Sequence, residues 1–248
     1  MIDTERKRTP ISVGISFHNG EKWFKKTINS VLSQSLLPEE IIILDDGTNP
    51  GLNEYLEVLG TIRCPIPLRV YSVDINLDIS DKYNSMIQLA RHGWIQIIDQ
   101  DDFLYPDFYL KTSEFLKDDT SVIAGSLRSN LRIISALGKI VGYFVKDGSC
   151  IKRKWPILGS FATRSGLIYN SKICKSTPFS CPTQNGTDII HLDQMRAKGR
   201  LVYVPSAIVH YEIHENSYSK SKSRSITPKG VIYKFDSYVR FFFSRLLR

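Results

Sequence analysis

Cysteine is scarce in this chain, with four in 248 residues, and no two of them form a C-x-x-C pair. Cys64, Cys150, Cys174 and Cys181 also lack a histidine cluster at zinc-ligand spacing. That excludes a zinc ribbon and a redox dithiol, and leaves four reduced thiols in a cytosolic protein. Long apolar runs are missing too: none approaches the ~18 residues that cross a bilayer as a helix. The first ten residues, MIDTERKRTP, are charged and polar, without the apolar centre of a secretory signal. The expected location is the cytoplasm, or a peripheral position on the cytoplasmic face of a membrane. There is no internal repeat. The one biased stretch is residues 219–225, where Ser alternates with Lys or Arg like a linker.

The acidic side of the charge balance is also thin. The formal net charge is +8, and residues 219–248 contribute most of it, with eight basic residues and one acidic. The body is near neutral and the tail is basic. A nucleic-acid partner would call for a basic body or a recognised binding motif, and neither is present, so none is expected. The composition, 42% hydrophobic and 23% charged, is that of a folded globular chain and not of a disordered one.

What is present is a regular alternation of apolar strands and amphipathic helices. Residues 11–17 (ISVGISF) read as a strand, and His18-Asn19-Gly20 as a turn with Asn19 a candidate helix cap. Phe24, Ile28, Val31 and Leu32 then recur at helical spacing, with Pro38 expected to end that helix. Residues 41–44 (IIIL) are a fully apolar strand of the kind buried on both faces of a parallel sheet. Helices are expected over 52–59, 80–90, 108–116 and 188–198, the last closed by Gly199. Strands are expected over 68–73, 94–98, 122–125, 167–169, 201–204 and 207–211, with strands or a hairpin within 133–145. Such alternation predicts an α/β layered fold with a mostly parallel sheet flanked by helices. The expected domains are 1–218, and a basic linker with a C-terminal helix over 219–248.

Two of these strands run directly into carboxylates. Leu44 leads into Asp45-Asp46, and Ile98 into Asp99-Gln100-Asp101-Asp102. Ligands of open α/β sheets bind beyond the carboxyl ends of the strands. Five carboxylates gathered there need a counter-charge. A hard divalent cation, itself bridged to a diphosphate, meets that need. Taken singly, each motif would also serve as a turn or a solvated loop.

With these residues in view, the chain resembles inverting glycosyltransferases of family 2, which have the GT-A fold, a Rossmann-like α/β arrangement. Residues 11–48 (ISVGISFHNGEKWFKKTINSVLSQSLLPEEIIILDDGT) match the family's opening block almost position by position. Residues 76–107 match its second block, with Asn84 on the block's Asn and 99–102 on its D-x-D-D. The similarity thins after residue 110 and returns at 165–167 and 188–219. It implies a nucleotide-sugar donor, a divalent metal (Mn²⁺ or Mg²⁺), and a glycan or lipid-linked acceptor of the bacterial surface-polysaccharide type.

The resemblance also implies roles. Asp45 and Asp46 resemble the pair that reads base and ribose, and Ser16, His18 and Asn19 lie in the turn that packs on the base. Histidine replaces the family's usual aromatic there. Asn84 and Asp99 fall among the donor-binding positions. Asp99 and Asp101 match the D-x-D that meets ribose and metal, with Asp102 an alternative ligand. Asp188 sits at the second position of the catalytic Glu-Asp pair, whose first position here is Thr187. It would serve as general base, although an aspartate there would also cap the helix that follows. His210 and His214 are the two candidates for the histidine that completes the metal shell. Glu212 stands where the Tyr-Arg-x-His form of that motif has Arg.

In the tail, Val231, Phe235, Tyr238, Val239, Phe242 and Leu246 share one helical face bordered by Lys234 and Arg245. That pattern fits a helix over 226–248 lying on an anionic membrane surface, or one packed on protein. Two other functions fit parts of the sequence. One is a nucleotidyltransferase, which would call for a Gly-rich basic loop after the first strand that 16–20 (SFHNG) does not supply. The other is a non-catalytic nucleotide-sugar binding module, suggested by Thr187 and Glu212.

Overall fold

The computed structural model describes residues 6–47, 64–73, 77–130, 146–150, 163–180 and 187–215. The expected helix at 52–59, the segment 133–145 and the tail helix at 226–248 lie outside them. The chain forms two compact units, Met1–Tyr211 and Glu212–Arg248.

The first unit is built on strands too apolar to face water on either side. Strand β1 (Arg8–Phe17) is buried throughout residues 11–15, and β2 (Leu37–Asp46) throughout 40–46. Strands β3 (Leu68–Val73) and β4 (Trp94–Asp99) complete a parallel group in the order β3-β2-β1-β4. Helix α1 (Glu21–Leu32) covers one face with Phe24, Ile28 and Val31, and Phe24 meets Phe17 edge-on at 4.9 Å between centroids. Helix α2 (Ile79–Leu89) covers the other with Tyr83, Met86 and Ile87. Each such side chain contributes about 1.5–3 kcal/mol by leaving water. Gly14 lets α2 come close: a Cβ there would stand 2.9 Å from Met86 Sδ.

Beyond β4 the pairing turns mixed. Strand β5 (Phe103–Leu104) and helix α3 (Phe108–Ser113) follow, then β6 (Thr120–Ser129) and β7 (Ser149–Cys150). A 3₁₀ turn (Arg164–Gly166) leads into β8 (Leu167–Asn170) and α4 (Ser171–Lys175), then α5 (Thr187–Arg196) and β9 (Arg200–Tyr211). Strand β8 runs antiparallel between β4 and β6, β9 runs parallel to β6, and β5 and β7 pair with β9. The order is β3-β2-β1-β4-β8-β6-β9-β5, with β7 off this path on β9.

Several local expectations are corrected. Pro38 does not end α1. The helix stops at Ser33, whose N–H donates to the Asn29 carbonyl at 2.9 Å, and Pro38 lies at the start of β2, before β3 begins to pair. Proline is tolerated at such a strand start. The helix cap is Gly20 and not Asn19, which instead takes a left-handed φ of 47°, a conformation asparagine accepts. The two predicted strands 201–204 and 207–211 are one strand, β9, with a register shift opposite Gly125 and Ser126. Helix α3 ends at Ser113, short of the expected Leu116. Among the described residues, Cys64, Cys150 and Cys174 are free thiols, as expected.

Candidate active site at the strand ends

The strand order reverses at β1. Its neighbours are β2, which continues to β3 on one side, and β4, which starts the other half. Such a reversal leaves a crevice beyond the carboxyl ends. Register places the candidate residues on its rim: Ser16 pairs with Leu44 on one side and Asp99 on the other, and Phe17 pairs with Asp45. Ser16, Asp45 and Asp99 therefore lie within a residue of the ends of three adjacent parallel strands.

The two aspartates of β2 have different surroundings. Residues alternate faces along a strand. Asp46 shares a face with Leu44 and Ile42, turns under the sheet toward α2 and is 0% exposed. Its carboxylate accepts the Leu77 N–H at 2.7 Å and pairs with Lys82. Asp45 stays at the rim, 9% exposed. His18 joins the same strand end: its Nδ1–H donates to the Asp46 carbonyl at 2.7 Å. That tautomer leaves Nε2 to accept from the Asn19 amide at 3.3 Å. The imidazole remains 42% exposed.

The acidic turn after β4 is held from three directions. Gln100, whose role the sequence did not suggest, accepts the His18 N–H at 2.7 Å and donates to the His18 carbonyl at 3.0 Å. Gly20 makes room for it, since a Cβ there would stand 2.3 Å from the Gln100 carboxamide. Thr27 Oγ1 of α1 lies 2.7 Å from the carbonyls of both Gln100 and Asp102, which share its one hydroxyl proton. From the 3₁₀ turn, Ser165 Oγ accepts the Asp99 N–H at 3.1 Å and donates to Asp102 Oδ2 at 2.5 Å. Ser165 is itself fixed by Gln96, whose amide donates to the Ser165 carbonyl at 2.7 Å and accepts from Tyr109 Oη at 2.7 Å. Burial pushes the Tyr109 hydroxyl well above the usual phenol range, so it remains a proton donor here.

The aspartates of the turn are thereby sorted. Asp102 is 0% exposed and bonded to Ser165, whereas Asp99 and Asp101 stay partly open. Asp99 receives the guanidinium of Arg164, which also lies 4.0 Å over the Tyr83 ring. Arg164 carried no signal in the sequence, being 65 residues from its partner.

The remaining candidates fall as follows. Asn84 uses both ends of its amide on Phe179, donating to its carbonyl at 2.9 Å and accepting its N–H at 2.8 Å. It clamps the 177–180 segment to α2. Asp188 is the second residue of α5, inside the helix and not before it. His210 pairs with Phe103, the residue after Asp102, and their rings stack at 4.3 Å. His214 belongs to the second unit. Another histidine, His191 of α5, is fully buried against Phe179 at 3.6 Å and bonds the Thr177 carbonyl at 2.8 Å. Burial pushes its pKa down to about 4, so it is a neutral core group.

Among the described residues, no three Asp, Glu, His or Cys side chains converge to enclose a metal. A Mg²⁺-type site needs no such cage, since one or two carboxylates are completed by water and substrate phosphates. Asp99 and Asp101, two hard oxygen donors at an open strand end, fit that chemistry.

This architecture, with a parallel half ending in carboxylates beside a mixed half, is the GT-A fold of glycosyltransferases. The chain belongs to glycosyl transferase family 2, whose description matches residues 12–175. It is 32% identical over 114 residues to a chondroitin synthase of Escherichia coli, covering 45% of this chain and 16% of that protein. The chain thus spans about a sixth of that curated relative. Its fold is similar to TarS 1-349 of S. aureus, solved with UDP-GlcNAc: TM-score 0.68, 18% identity, 85% of this chain and 60% of that one. It is also similar to the mannosyltransferase PcManGT of Pyrobaculum calidifontis, solved with GDP-Man and Mn²⁺: TM-score 0.66, 10% identity, 87% and 61% covered.

Proposed function

We propose that this chain transfers a sugar, with inversion, from a nucleoside diphosphate sugar to an acceptor hydroxyl of a glycan or lipid-linked glycan. The observation that carries the proposal is the register at the switch point, which sets Ser16 level with Asp99 and puts Asp45 one residue further on, beside Phe17. Family membership favours sugar transfer over nucleotidyl transfer. The chondroitin synthase relative supports a surface-polysaccharide setting.

In this scheme the nucleoside lies across the ends of β1 and β2. Asp45 accepts hydrogen bonds from base or ribose, and the half-exposed imidazole of His18 offers a face for the base. Ser16 and Asn19 line the same turn. Asp46 acts from below, fixing the strand end through Leu77 and Lys82. Asn84 acts at one remove, through its clamp on Phe179. Asp99 takes the ribose. Asp99 and Asp101 would hold a divalent cation, Mn²⁺ or Mg²⁺, which supplies positive charge for the departing diphosphate. Asp102 keeps the turn in place from its buried position. His210, stacked on Phe103 beside the turn, is the remaining candidate ligand within this unit. Asp188, near the start of α5, removes the proton from the acceptor hydroxyl as that oxygen attacks the anomeric carbon. The peripheral membrane position rests on the basic tail.

The test joins binding to turnover. A thermal-shift panel of nucleoside diphosphates and their sugars with Mn²⁺ or Mg²⁺ identifies the donor, because a ligand of the native state raises the melting temperature. With that donor, Asp188→Asn should bind normally and lose about 10²–10⁴-fold in transfer. A variant that transfers at the wild-type rate removes Asp188 as base.

A further inference from the structure

A carboxylate that is to meet a ribose hydroxyl or a metal must have an oxygen to offer. In this structure one terminal nitrogen of Arg164 lies against both oxygens of Asp99. The pair is not deeply buried, with side-chain exposures of 12% for Arg164 and 23% for Asp99. It lies at the end of β4 and stays partly open, unlike the Lys82–Asp46 pair, whose carboxylate is fully buried.

The surroundings of Arg164 fix its backbone. Its neighbour Ser165 is held by Gln96, Asp102 and the Asp99 N–H, and the Gly166 N–H donates to the Thr163 carbonyl at 2.8 Å. The guanidinium lies over Tyr83, which is 1% exposed and packed edge-on against Phe179 at 5.2 Å. A planar cation on a fixed aromatic face can slide in that plane while keeping the ring contact. A guanidinium also forms bidentate, charge-assisted bonds to phosphate oxygens, as it does to a carboxylate.

We propose that Arg164 is an exchangeable counter-cation. In the free protein it neutralises Asp99 and holds that carboxylate away from divalent cations. When a nucleoside diphosphate enters, the guanidinium moves from Asp99 to the phosphates and releases Asp99 to ribose and metal. Divalent cation and nucleotide thereby load together, and neither binds well alone. This rests on the donor site proposed above and adds to it the order of loading.

Calorimetry on the full chain tests this with three titrations: Mn²⁺ alone, UDP or GDP alone, and Mn²⁺ with the nucleotide present. Removing a charge-assisted partner of Asp99 predicts that Arg164→Gln binds Mn²⁺ alone about 10–100-fold more tightly than wild type. The same variant should bind nucleotide at least roughly tenfold more weakly, because the phosphates lose a charge-assisted partner. The mutual enhancement of Mn²⁺ and nucleotide, large in wild type, should shrink by a similar factor when measured from either ligand. If Arg164→Gln does not fold, Arg164→Lys runs the same titrations. It lacks the planar fork, and should shift both affinities in the same directions by less. Unchanged or weaker Mn²⁺ binding in the variant overturns the exchange, as does unchanged nucleotide binding. Wild-type protein that binds neither nucleotide with Mn²⁺ overturns the donor site itself. Normal wild-type binding with an indistinguishable Arg164→Gln overturns only the exchange.

Discussion

Replacing Ser165 by Ala removes one hydroxyl and breaks two bonds under the acidic turn. Ser165 Oγ donates to Asp102 Oδ2 at 2.5 Å and accepts the Asp99 N–H at 3.1 Å, and both Ser165 and Asp102 are fully buried. No water reaches that oxygen to take the place of the hydroxyl. A hydrogen bond to a charged group contributes about 1.5–3 kcal/mol, and a neutral backbone bond about 1 kcal/mol. The expected loss of stability is therefore about 3 kcal/mol. In a unit of this size each kcal/mol lowers the melting temperature by about 2–4 °C, which predicts a fall of roughly 6–12 °C. Urea titration followed by circular dichroism measures the loss, and a double-mutant cycle with Asp102→Ala assigns it. The two side chains touch, so a coupling of about 1–3 kcal/mol is expected between them. A loss under about 0.5 kcal/mol, the size of an ordinary surface substitution, would refute the reasoning. A coupling near zero would show that the hydroxyl acts on something other than Asp102.

Two further predictions concern acid and membranes. His191 is buried with its pKa lowered from 6.5 to about 4, so it is neutral in the folded chain while the unfolded chain takes up a proton below 6.5. The unfolded state then binds more protons, so this contribution is fully present above about pH 6.5 and is lost as pH falls toward about 4. The total is about 3 kcal/mol at 1.36 kcal/mol per pKa unit. Urea titrations between pH 7 and 4 should show that slope in wild type and not in His191→Gln; equal slopes would remove His191 as its source. Deleting residues 226–248 should release the protein from anionic liposomes in a flotation assay, and an intact chain that never floats would end the membrane assignment.

Much of the candidate site's strand framework was legible because the parallel sheet buries both faces of its strands. Residues 41–44 and 94–98 have no polar alternation, so the carboxylates that end them stand out. Period-two alternation then separates Asp45 from Asp46, but only once the register with Phe17 and the position of Lys82 are known. The supports of the site were not legible. Thr27 is an ordinary residue in a helix, Gln100 is the variable position of its motif, and Ser165 and Arg164 lie more than 60 residues from the aspartates they hold. Their roles arise from the antiparallel insertion of β8 between β4 and β6, which no local pattern announces. Asn84 shows the converse. It matches a family motif, yet its amide is spent on the Phe179 backbone.

The central claim is that donor and metal share the crevice between the ends of β2 and β4. Calorimetric titration of the nucleoside diphosphate chosen by the thermal-shift panel, with and without Mn²⁺, tests it most directly in wild type, Asp45→Ala and Asp101→Ala. The account predicts tight, Mn²⁺-dependent binding in wild type. Asp101→Ala should lose the Mn²⁺ dependence, and Asp45→Ala should bind weakly whether Mn²⁺ is present or not. Binding in both variants equal to wild type, with its Mn²⁺ dependence intact, would contradict it.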